Sequence, residues 1–383
     1  MAKKLYVHVG TPKTGTSAIQ QFCATNKEAF EKRGYCYPIM PYRYPHKAIV
    51  RNGHFLTGQI KDENGNRCIE EERRIFLEGM ETVKELFITY NCVILSDETL
   101  WRSTTHWRPE LWKELNKMGE EVGFEVVIIV YLRRQDEYLT SLWSQDVKAG
   151  YFKSSVKSWE DWYEIMAKDK LIDYKAKVDE FINAVGKENV VVRRYDRNGF
   201  FGGSIYSDFL QAVGLEMTAD FVVEESERNL GLKGNTNEIK RIINTIPDIS
   251  HKDHLFFRNI LLGLSDISAQ NYKCSVMSKE EKEELLADCK EGNREVAKLI
   301  FEEDGELFKN DDKELPKWEK DNPYMMDDVI RLVATTALEL RKENQKLEEK
   351  IHRLEAEIRE MKNPVTYYPK KLYRKIKRSM NNE

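Results

Sequence analysis

The stretch Gly10-Thr11-Pro12-Lys13-Thr14-Gly15-Thr16-Ser17 constrains this chain more than any other. An apolar run, Leu5-Tyr6-Val7-His8-Val9, precedes it and predicts a buried strand. Ile19, Phe22, Cys23 and Phe30 follow at the spacing of one helix face and predict a helix over 16–32. Strand, glycine-bearing turn and helix together make a cradle for an oxyanion. Backbone N–H groups converge at the helix start, and the helix dipole favours negative charge there. Thr14, Thr16 and Ser17 add hydroxyl donors, and Lys13 adds a full positive charge.

The nucleotide P-loop, G-x-x-x-x-G-K-[ST], is the nearest motif with a mechanism. Gly10 and Gly15 have its spacing, but Thr16 stands where that motif has lysine. The lysine sits inside the turn, at Lys13, so an ordinary ATPase would lack the group that holds its terminal phosphates. In this form Pro12-Lys13-Thr14-Gly15-Thr16-Ser17 resembles the 5′-phosphosulfate loop of sulfotransferases, which use 3′-phosphoadenosine-5′-phosphosulfate (PAPS) as donor. The resemblance is to bacterial, glycan-type sulfotransferase domains and spans about residues 4–215. A weaker likeness continues at Asn293-Arg294-Glu295-Val296-Ala297 and Leu307-Phe308.

That resemblance assigns further residues. Sulfotransferases hold the donor's 3′-phosphate with an Arg just after a central strand and a Ser eight residues on. Arg133 and Ser141 have that separation, after the strongest apolar run of the chain, Phe124-Glu125-Val126-Val127-Ile128-Ile129-Val130-Tyr131. Arg offers a planar fork suited to phosphate. Arg134 has the same chemistry, and the choice of Arg133 rests on the resemblance; an Arg paired with Asp136 or Glu137 on a helix surface is the plain structural alternative. The family places its catalytic base, His or Glu, after a strand between the two donor motifs. Cys92-Val93-Ile94-Leu95 reads as such a strand and ends in Ser96-Asp97-Glu98. Glu98 is the expected base, Asp97 stands second, and His54 and His106 are outside candidates for the same role. Sulfuryl transfer is expected to follow phosphoryl transfer, an in-line displacement with charge spread over three oxygens. Lys13 would then neutralise the leaving oxygen and Glu98 take the acceptor proton. Tyr195, after a further strand over 189–193, is expected beside the adenine or in the core. Arg228-Asn229-Leu230-Gly231 approaches the nucleotide or caps a helix. No metal is required. The apolar residues before Asp97-Glu98 also fit a Mg²⁺-holding strand end, which keeps a P-loop kinase or ATPase as the alternative. A non-catalytic dimeric scaffold is the second.

The runs at 5–9, 92–95, 124–131 and 189–193 alternate with helical patterns at 70–90, 107–119, 135–149 and 205–213. Continuous apolar strands between helices predict an α/β fold, a P-loop-like parallel sheet covered by helices on both faces, with ligands at the carboxyl ends of the strands. Residues 35–67, with three prolines, three glycines, His46 and His54, read as a long loop over the site. Beyond residue 222 the pattern is helical, at 235–245, 256–263, 279–290 and 293–301. Residues 1–320 are thus expected to form the sulfotransferase domain. Six cysteines without a C-x-x-C pair suggest reduced thiols, and a net charge of −4 argues against general nucleic-acid binding. Met1-Ala2-Lys3-Lys4 runs straight into a short strand, and no apolar run reaches the ~20 residues of a membrane span, so a cytoplasmic enzyme is expected.

The C-terminal part reads differently. Ile330, Val333, Ala337, Leu340, Asn344, Leu347, Ile351, Leu354, Ile358 and Met361 alternate intervals of three and four. With Ile330 at a, residues 324–363 read as a coiled-coil helix, and β-branched a positions with Leu at d predict a parallel homodimer through 330–361. After Pro364 the segment 364–383 carries Lys370, Lys371, Arg374, Lys375, Lys377 and Arg378 with Leu372, Ile376 and Met380 every fourth residue. A basic amphipathic tail over 366–380 suits the anionic inner face of a membrane. A saccharide or glycolipid acceptor at that surface is the expected partner.

Overall fold

In the computed structural model five strands form one wholly parallel sheet in the order β2-β3-β1-β4-β5. They are β1 (Lys3–His8), β2 (Tyr35–Cys36), β3 (Cys92–Ser96), β4 (Phe124–Leu132) and β5 (Val190–Arg194). The structure describes residues 2–40, 42, 50–224, 231–309 and 314–361. His46, Arg228, Asn229, Leu230 and the basic tail lie outside them.

The continuous apolar runs have the reason expected of a doubly covered sheet. Alternate residues feed two different cores. Leu5, Val7, Val93, Leu95, Val126, Ile128 and Val130 face one core, shared with the helices Ile69–Thr89, Leu111–Val122 and Tyr174–Val185. Tyr6, Ile94, Val127, Ile129 and Tyr131 face the other, shared with Thr16–Thr25 and Ile205–Ala212. A third cluster lies beyond the sheet, where Gln135–Ala149 meets Asn235–Ile243 and His251–Asn271.

Several boundaries depart from the sequence expectations. The helix foreseen over 16–32 breaks at Asn26 into Thr16–Thr25 and Lys27–Glu31, because Asn26 turns its side chain to Val222 and to the Phe22 carbonyl. The sheet has a fifth strand, β2, inside what reads as loop; two residues on an edge carry no periodic signal. Residues 279–301 form one helix rather than two. Leu100–His106, Trp159–Met166 and Tyr174–Val185 were not foreseen.

Met325–Met361 is a single helix of 37 residues. Its start belongs to the body: Leu332 is buried, and buried Asp328 accepts hydrogen bonds from Asn235 at 3.0 Å and Ser268 at 2.7 Å. From residue 341 to 359 every residue is exposed. Among the described residues no helix is long and apolar enough to cross a membrane.

Candidate active site

The chain visits β1, β2 and β3 on one side of the sheet and then crosses β1 to reach β4 and β5. The crevice of an open α/β sheet lies where that direction reverses, at the carboxyl ends of β1 and β4. The loop 10–17 leaves β1 there. Ladder hydrogen bonds run past the strand and fix its start: Thr11 N–H donates to the Tyr131 carbonyl at 3.0 Å, and Tyr131 N–H to the Gly10 carbonyl at 2.6 Å.

The loop needs its glycine at position 15. Gly15 has φ +76°, and a Cβ there would collide with Ile205 and touch Tyr195. Gly15 begins the helix Thr16–Thr25, and no side chain caps it. The leading N–H groups are therefore available to an anion, at the positive end of the dipole. Thr14 is buried and donates to the Thr11 carbonyl, so its hydroxyl holds the turn together. Ser17 is exposed. Lys13, with φ +69°, donates to Gln145 Oε1 at 3.3 Å. Burial lowers its pKa and Arg133 lowers it further, against the pull of Glu98.

Arg133 comes off the end of β4 beside the loop. It donates to the Lys13 carbonyl at 3.3 Å and to Glu137 at 3.0 Å, and its guanidinium lies 5.6 Å from the Tyr195 ring centroid. Arg134 is different: it is buried in a two-pronged pair with Asp136, at 2.7 and 2.9 Å. The two adjacent arginines, equal in sequence, thus divide between the loop and the framework. Tyr195, fixed by its N–H to the Leu132 carbonyl at 2.7 Å, lies between Arg133 and Gly15. Ser141 sits one helical turn before Gln145, on the face that meets Lys13, and makes no side-chain hydrogen bond among the described residues.

Glu98 stands opposite. The Thr16 hydroxyl donates to it, Arg51 donates to its other oxygen at 2.6 Å, and a Cβ at Gly10 would lie 3.3 Å from its own Cβ. Asp97 is fully buried and engaged with other groups. It accepts from His54 Nδ1 at 2.9 Å and from Thr99 N–H at 2.7 Å, with Arg51 at 3.8 Å. Burial pushes its pKa up, but His54, Arg51 and Thr99 more than offset that and hold it below the usual carboxylate range. His54 therefore belongs to Asp97, and His106 lies apart, 3.6 Å from Asp169.

Sequence reasoning missed Arg51. It reaches the site because Asn52 is clamped to β3, donating to the Ile94 carbonyl at 2.9 Å and accepting from Ser96 N–H at 2.8 Å. Gly53 follows in close approach to β3, where a Cβ would press to 3.1 Å from the Ser96 backbone. The polar run Arg51-Asn52-Gly53-His54 inside a proline-rich loop was the available signal. A second missed group is cationic. Lys148 is pushed down to about 8 by burial and then by Lys13 and Arg258, and Lys240 to about 8 by burial and Arg258. Among the described residues Lys13, Lys148, Lys240 and Arg258 have no carboxylate within ion-pair distance. Such an unbalanced positive field favours an anionic ligand. His8, at the end of β1, is fully buried 2.9 Å from Ser96 Oγ, and its Nε2 has no hydrogen-bond partner among the described residues.

No family model matches the chain, and no solved structure matches it. The chain is similar to an uncharacterized protein of Archaeoglobus fulgidus, 30% identical over 174 residues. That match takes in 45% of this chain and 45% of the archaeal protein.

Proposed function

We propose that this chain transfers a sulfuryl group from PAPS to a hydroxyl or amine of a saccharide or glycoconjugate, releasing 3′-phosphoadenosine-5′-phosphate (PAP). One observation carries the reading: Lys13, Arg133, Tyr195 and Glu98 surround a single glycine-bearing loop at the crevice of a parallel sheet. The arrangement is P-loop-like, with its lysine inside the turn.

The uncapped helix start and the Ser17 hydroxyl bind the 5′-phosphosulfate, and the Thr16 hydroxyl turns from Glu98 to the ligand. Arg133, with Ser141 on the neighbouring helix, binds the 3′-phosphate, exchanging Glu137 for the ligand. Tyr195 lies beside the adenine. Glu98 accepts the acceptor's proton as the acceptor atom forms its bond to sulfur. The sulfur–oxygen bond to the 5′-phosphate breaks in line, and Lys13 neutralises the charge that appears on the leaving oxygen. Arg51 orients Glu98. Asp97 and His54 are positioning residues, since Asp97 is fully buried and already saturated with donors. The cations Lys148 and Arg258 extend the positive field away from the loop. No step assigned to these residues uses a metal.

Calorimetric titration with PAP, and with ATP plus Mg²⁺, tests the reading on the wild type and Arg133→Ala. PAP should bind without metal, and Arg133→Ala should weaken it by about 10- to 100-fold, the loss of a charge-assisted pair worth roughly 1.5–3 kcal/mol. Preference for ATP with Mg²⁺ would overturn the reading in favour of a P-loop kinase or ATPase. Binding of neither nucleotide would leave a scaffold.

A further inference from the structure

The helix Met325–Met361 shows the body one face and solvent another. Met325, Val329 and Leu332 pack into the third core cluster, anchored by Asp328. In the heptad frame these residues occupy c, f and g. The a and d stripe is left uncovered from its first member. Ile330 is 58% exposed and Val333 63%, although Leu332 between them is buried. The stripe continues through Leu340, Leu347, Ile351, Leu354, Ile358 and Met361, all between 48% and 56% exposed. Over residues 341–359, about 28 Å of helix at 1.5 Å per residue, nothing in the described chain covers it. A monomer would hold this row of large aliphatic side chains in water, whereas isolated helices draw most of their stability from packing an apolar face.

We propose that a second copy of this chain covers the stripe, forming a parallel, in-register two-stranded coiled coil over residues 330–361. The pattern selects this occupant. Ile at a with Leu at d favours two strands, and Asn344, the one polar residue at a, pairs with its own copy only when the two helices are parallel and in register. In that register Lys350 at g faces Glu355 of the other copy at e, which offsets one like-charge pair, Glu343 with Glu348. Beyond residue 340 the b, c and f positions are polar except for Ala356 and leave no second row of large apolar side chains for a larger bundle. The proposal is independent of the proposed transferase activity, because the seam lies outside the candidate site.

Sedimentation equilibrium of the full-length chain tests it. The wild type should sediment at twice 45.1 kDa at micromolar concentration. The triple variant Leu347→Glu, Ile351→Glu, Leu354→Glu should sediment as a monomer with unchanged circular dichroism from the body, since among the described residues no other element covers these side chains. Orientation is read from Leu354→Cys under mild oxidation, with the wild type as control for the native thiols. A parallel pair brings the two d positions within disulfide reach and gives an interchain bond absent from the control. A monomeric wild type, a triple variant that stays dimeric, or no extra cross-link from Leu354→Cys would each overturn the proposal.

Discussion

His8 makes the stability of this protein depend on pH in a way that can be worked out beforehand. Its ring is fully buried at the end of β1, edge-on to Tyr131 and Phe209. Burial pushes its pKa far below 6.5 and the attraction of Asp97 recovers only part of that, which leaves it at about 3. Between those two values the unfolded chain binds a proton that the folded chain refuses. Stability therefore falls as pH drops below 6.5 and goes on falling until about 3. Linkage gives the size: at about pH 4.5 the loss is roughly 2–3 kcal/mol, and at about pH 7.5 it is close to zero. His8→Phe removes the titration. It gives up one hydrogen bond to Ser96, which Gln20 still contacts at 3.2 Å, and it removes an unpartnered buried nitrogen. These changes oppose each other, at about 1 kcal/mol and 1–3 kcal/mol respectively, so the variant should match the wild type within ~1–2 kcal/mol at neutral pH. Urea unfolding of both proteins at the two pH values is the assay. The difference between them should move in favour of His8→Phe by roughly 2–3 kcal/mol on acidification. Parallel pH profiles would refute the argument that His8 is held neutral by burial.

The two acidic residues after β3 should separate by assay. Glu98→Gln keeps the shape of a half-buried side chain, so stability should hold while transfer falls by about 10²–10⁴-fold, the range of a lost general base; unchanged turnover in a PAPS-dependent assay would remove Glu98 from that role. Asp97→Asn leaves His54 without its fully buried carboxylate, while Arg51 keeps Glu98, and should cost about 1.5–3 kcal/mol of stability in denaturant unfolding, a fall below ~0.5 kcal/mol being the contrary result. Because Asp97 is held below its ordinary pKa, its contribution is present above that ordinary value and is lost as pH falls through the depressed one.

Local chemistry made much of this molecule legible in the sequence. The strand, turn and helix around residues 5–25 could be read because strand period, glycine and hydroxyl residues all agree at one place. The helix Gln135–Ala149 was bounded by its acidic first turn and by Gly150. The heptad from Ile330 needs only spacing. What stayed hidden depends on contacts between distant residues. Two residues on a sheet edge, Tyr35 and Cys36, have no period to detect. The sequence could not separate Arg133 from Arg134, because their difference is tertiary: one emerges beside Lys13 while the other is buried against Asp136. Asp97 and Glu98 likewise divide only when Asn52 clamps its loop to β3 and brings Arg51 and His54 against them. Pattern determined which segments form elements and which apolar faces they carry. Folding alone decided which polar side chains share a space, since that follows from burial and charge across long chain separations.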